Sequence, residues 1–85
     1  MKPVQNLTEL YNRYKRTVFG YLYRMTGSAG EAEELTQETF YQAILFIHRF
    51  RGEASASTWL LKVARNVHLK SLRKRRREPL AREPE

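Results

Sequence analysis

Between residues 7 and 77 the apolar side chains recur at intervals of three and four, and this spacing is interrupted twice. One break is Thr26-Gly27; the other is the Ser-, Gly- and Ala-bearing stretch over residues 51–57. A period near 3.6 makes each segment an amphipathic helix and leaves no place for a strand, whose period is two. A chain of 85 residues can bury a single modest core. Three one-sided helices must therefore share it. The expected fold class is all-α, a small bundle of three main helices over about residues 7–26, 28–50 and 58–77.

In the first segment Leu7, Leu10, Tyr11, Tyr14, Val18, Leu22 and Met25 follow the helical rule. Asn6 with Glu9 reads as its cap, residues 1–6 as a tail, and Gly27 as its stop. Ser28 with Glu31 forms the signature of a second capping box. The buried stripe expected behind it is Ala32, Leu35, Thr39, Phe40, Ala43, Phe46, Ile47 and Phe50, with Thr36 on the same side. Ser55 and Ser57 can each cap the third helix, and Glu78-Pro79 stops it. Residues 78–85 read as the start of a linker.

The third helix has two different sides. Leu60, Val63, Ala64 and Val67 fall on one, and Lys62, Arg65, Asn66, Leu69, Arg73 and Arg76 fall on the other. Lys and Arg outnumber Asp and Glu by 16 to 9, a formal net charge of +7, and the surplus is uneven. Residues 65–77 hold seven cations and no acid, whereas residues 31–38 hold four acids and no base. A dense strip including Lys70, Arg73, Lys74, Arg75, Arg76 and Arg77 repels itself unless a polyanion neutralises it. Each phosphate so paired releases counterions, so the strip is read as a nucleic-acid contact. Asn66, an amide within the cations, is a candidate base reader. Trp59 is either a core residue or a stacking wall for an unpaired base. The loop over residues 52–57 is either a pocket lining or a plain interhelical turn.

The second helix carries an opposite face. Glu34, Glu38, Tyr41 and Leu45 line up, with Gln37 and Glu31 alongside and Ile44 near them. Acids near a helix start are ordinary, since the dipole favours them. Large apolar groups among those acids, turned away from the core, fit an interface with a basic helical partner.

No Ser/His/Asp set, glycine-rich phosphate loop or metal-ligand spacing occurs, so no enzyme, metal or cofactor is expected. His48 and His68 are expected at the surface. Without cysteine there is no disulfide framework, and the redox compartment stays open. No run approaches the roughly 18 apolar residues of a membrane span. A soluble, cytoplasmic protein is the expectation.

The ordered set of AEELTQETF (residues 32–40), FRGEASASTWLLKVARN (residues 50–66) and a basic run resembles region 2 of bacterial sigma factors. The extracytoplasmic-function group of the sigma-70 family is the nearest match, and YRMTG (residues 23–27) fits it too. The likeness covers about residues 7–77. It implies that the acidic helix docks on the coiled coil of the largest subunit of core RNA polymerase. Glu34, Leu35, Gln37, Glu38 and Phe40 carry that match, Leu35 and Phe40 supporting the helix from behind. Tyr41 and Leu45 are added by the helical wheel. The resemblance further implies recognition of the melted −10 promoter element on the non-template strand, with a flipped base held in a loop-lined pocket. That role falls on Glu53, Ala54, Ser55, Ala56, Ser57, Trp59, Lys62, Arg65 and Asn66, with Lys70, Arg73 and Arg76 on phosphates. Family members also carry region 4, which reads the −35 element; this chain ends where the linker to it is expected, so a fragment or an excised domain lacking region 4 is the expectation.

Two rival readings accompany this one. One is a protein-interaction module sequestered by an anti-sigma factor. The other is a duplex-reading helix-turn-helix domain, whose recognition helix would enter the major groove.

Overall fold

The computed structural model describes residues 7–47 and 55–77, with side chains from 8 to 47 and from 55 to 75. It contains three helices: α1 (Leu7–Thr26), α2 (Ala29–Leu45) and α3 (Ala56–Arg77). Each packs against the other two, giving an all-α bundle. The expected tail over residues 1–6, the cap at Asn6, Phe50 and the linker over residues 78–85 lie outside the described residues.

The α1–α2 connection is short and is capped on both sides. Gly27 sits at φ 71°, the left-handed position that glycine takes without steric cost. Its N–H donates to the carbonyl of Tyr23 at 2.8 Å. Ser28 then caps α2, its Oγ accepting from the Glu31 N–H at 3.1 Å. Only this half of the expected capping box forms. The Ser28 N–H donates instead to Thr26 Oγ1 at 3.2 Å, which leaves the Glu31 carboxylate free to turn elsewhere.

The core joins Leu10, Val18 and Leu22 of α1 to Ala32, Leu35, Phe40 and Ala43 of α2 and Leu60, Ala64 and Val67 of α3. Thr36 and Thr39 are buried with it. Each hydroxyl donates to the carbonyl four residues back, at 2.7 Å, so neither is an unpaired polar group. Tyr11 meets Phe40 edge to face at 5.1 Å between ring centroids. Tyr11 and Met25, expected inside, keep much of their surface exposed.

Three boundary or burial expectations need correction. α2 stops at Leu45 rather than near residue 50, and Phe46 and Ile47 remain 38% and 37% exposed. Periodicity reports which residues could face a core, whereas a helix is stabilised chiefly while that face has something to bury against. α3 starts at Ala56, two residues earlier than expected, because Ser55 does the capping. His68 is buried at 8% exposure, not at the surface. It stands four residues after Ala64, on the inward side, and its Nδ1 has no hydrogen-bond partner.

Candidate nucleic-acid interface and acidic docking face

The start of α3 is organised by one side chain. Ser55 Oγ accepts from the Thr58 N–H at 3.2 Å and donates to Thr58 Oγ1 at 2.9 Å, with Ser57 Oγ 3.3 Å away. The Ser55 carbonyl accepts from the Trp59 N–H at 3.1 Å. Ala56 and Ser57, expected in the loop, therefore belong to the first helical turn. Of the residues expected to meet DNA, Glu53 and Ala54 lie outside the described residues, as does the side chain of Arg76.

From this cap α3 divides as the sequence pattern requires. Leu60 and Ala64 are fully buried and Val67 nearly so, while Lys62, Arg65, Asn66, Lys70 and Arg73 are exposed. At 1.5 Å per residue, the cations from Lys62 to Arg73 extend over about 17 Å along the helix. Asn66 lies within them. Trp59 is half-buried and packs against the core, with part of its surface left exposed.

The outer face of α2 carries Glu34, Gln37 and Glu38, all exposed, beside Tyr41, Ile44 and Leu45 at 57%, 40% and 46% exposure. Leu35 and Phe40, at 8% and 4%, face the opposite way. They hold the helix from behind.

Packing brings the two faces closer than the sequence suggests. A groove of about 550 Å³ runs between α2 and α3. Glu38 and Gln42 stand on its α2 wall and Asn66, Lys70 and Lys74 on its α3 wall, above an apolar floor that includes Leu35 and Val67. Gln42 Nε2 donates to Glu38 Oε2 at 2.8 Å. Glu38 thus lines a cleft, whereas Glu34 is exposed outside it. At the end of the groove Arg75 forms an ion pair with Glu31. Arg75, expected among the phosphate-facing cations, thus turns to α2.

A second groove, about 360 Å³, lies between α1 and α2. Tyr11, Lys15, Arg16, Phe19, Glu33 and Gln37 line it, with Lys15 Nζ 5.1 Å from the centroid of the Tyr11 ring. Of its α1 residues, sequence reasoning placed only Tyr11, on the apolar stripe. Their i, i+4 spacing was the available signal. Among the described residues no His, Cys, Asp or Glu cluster could hold a metal ion, and no helix is long and apolar enough to cross a membrane.

Residues 10–78 match the family model described as Sigma-70 region 2. Relatives include the ECF RNA polymerase sigma factor SigG of Mycobacterium tuberculosis, 45% identical over 67 residues, covering 79% of this chain and 18% of the relative. The ECF RNA polymerase sigma factor SigM of Bacillus subtilis is 36% identical over 72 residues, covering 85% and 44%. The RNA polymerase sigma factor YlaC of Bacillus subtilis is 33% identical over 69 residues, covering 81% and 40%. The chain spans less than half the length of these three relatives.

Proposed function

The chain belongs to the sigma-70 region 2 family, and from that premise we propose that it works in transcription initiation by joining core RNA polymerase to a melted promoter. In this reading α2 docks on the coiled coil of the largest polymerase subunit. Glu34, Gln37 and Glu38 meet its basic groups, and Tyr41 and Leu45 supply apolar area that is lost from water on contact. The third helix and the cap before it take the −10 element on the non-template strand.

The observation that carries the reading is the division of α3. Its inner side is locked into the core while Lys62, Arg65, Lys70 and Arg73 stay exposed around an exposed amide. Cations on a rigid helix track phosphates without reading sequence, and binding through them is salt-dependent. Asn66 can both donate and accept, so it can discriminate the edge of a base. A base taken out of the stack costs a few kcal/mol, which these contacts offset on the protein side. Region 2 would thereby hold open a step that otherwise closes.

Short fluorescent oligonucleotides of varied sequence, single-stranded and duplex, test this at low and moderate salt. The expected outcome is a single-strand preference with sequence selectivity that Asn66→Ala relaxes by about 1–3 kcal/mol at one base. Equal, sequence-blind binding to both forms overturns the −10 assignment. Tight, selective binding to intact duplex favours a helix-turn-helix mode instead.

A further inference from the structure

The same structure pairs one acid of α2 with a cation of α3 and lines the groove between the two helices with a second acid and two more cations. Glu31 pairs with Arg75. Glu38 shares the α2–α3 groove with Lys70 and Lys74. Neither arrangement follows from local helix chemistry. The Glu31 side chain is available only because Thr26 Oγ1, not the Glu31 carboxylate, receives the Ser28 N–H. Nor is the pairing evenly spread: Glu33 lines the other groove, against α1, and Glu34 stands on the outer face.

We propose that Glu31 and Glu38 compete with nucleic acid for Arg75, Lys70 and Lys74, so that α2 partly neutralises the basic strip of α3 in the free chain. The physical reason is that a cation already facing a carboxylate gains less from a phosphate, because the carboxylate must be left behind or endured. A partner that draws the α2 acids to its own cations releases α3 for DNA. By linkage, DNA bound on α3 then raises affinity for that partner by the same factor. This coupling rests on the polymerase and DNA assignments above. The competition within the chain does not, and it can be read without polymerase.

The test is titration of the 85-residue chain with a single-stranded oligonucleotide across a range of salt, comparing Glu31→Gln, Glu38→Gln and Glu33→Gln. Each changes the charge equally, but Glu33 lies on the α1 side. One freed cation should steepen the salt slope by about 0.7 and tighten binding roughly fivefold at about 0.1 M salt. Glu31→Gln, which breaks an ion pair, should approach this change, Glu38→Gln should give a smaller change in the same direction, and Glu33→Gln should stay within about twofold, since screening acts over roughly 10 Å.

Arg75→Gln supplies the second arm. It should cost little affinity in the parent and roughly fivefold in the Glu31→Gln background, a non-additivity that overall charge cannot produce. Equal effects of the three acid substitutions, additivity of the Arg75 cycle, or failure of every variant to bind would each overturn the proposal. Sequence-blind binding by the parent would sink the −10 assignment alone, leaving the slope and the cycle to judge the competition.

Discussion

The outer faces of α2 and α3 are both exposed, both rich in charge and both backed by the same core, yet they suit different kinds of partner. On α3 the exposed face is cationic along much of its length, with Asn66 as its amide and Leu69 half-buried beside it. Attraction to phosphates is its main resource, and that attraction weakens with salt. On α2 the acids border Tyr41, Ile44 and Leu45, which together leave a large apolar area in water. Such a patch gains by desolvation against a protein and far less against a polyanion, which the acids repel. Charge sign separates the two faces, but the apolar content decides what each can hold.

The largest effect is expected behind both faces. Leu60 is fully buried where α3 meets the shared core. Leu60→Ala should lower the unfolding free energy by about 2–5 kcal/mol, measured by urea denaturation. In a small bundle that loss should disable both faces together. Loss of one face with the other intact would mean that they do not depend on a common support.

A smaller and more selective effect is expected at Glu34, which is exposed and away from the α2–α3 groove. Glu34→Lys places a cation where a basic partner is proposed to dock. It should weaken binding to core RNA polymerase by about 2 kcal/mol or more, read in a pull-down titration or by fluorescence anisotropy. Single-strand affinity should change much less. Unchanged polymerase affinity would remove α2 from the docking assignment.

The smallest expected effect is at Lys62, one exposed cation on the α3 strip. Lys62→Gln should weaken oligonucleotide binding roughly fivefold at about 0.1 M salt and flatten the salt slope by about 0.7, leaving polymerase affinity alone. A loss independent of salt would point to a contact other than phosphate and would sharpen the contrast between the faces in an unexpected direction.

Much of the fold was readable in the chain. Val18, Leu22, Ala32, Leu35, Leu60 and Ala64 were placed inward by spacing alone, and they are inward. The turn at Gly27 and the cap at Ser28 were signalled by residue type. His68 was expected at the surface from its chemistry, but a position four residues after Ala64 lies on the inward side. Phe46 and Ile47 were misplaced because an apolar residue in phase need not have a neighbour to cover it. The exposure of Glu34, Tyr41, Lys62, Arg65 and Asn66 was legible too, since exposure opposite a buried stripe follows from the same period. Their relation to one another was not.

Taken alone, the sequence determined the three helices, the inward stripe of each, and the opposite charges of two outward faces. These are consequences of backbone period and side-chain type within a few turns. Only the tertiary structure decided that the start of α2 meets the last turns of α3. That packing sets Glu31 on Arg75 and brings Glu38, Asn66, Lys70 and Lys74 to one groove. The residues are far apart in the chain, and no local pattern encodes which helix end will face which. The core that brings them together is fixed by how three apolar stripes fit into one another.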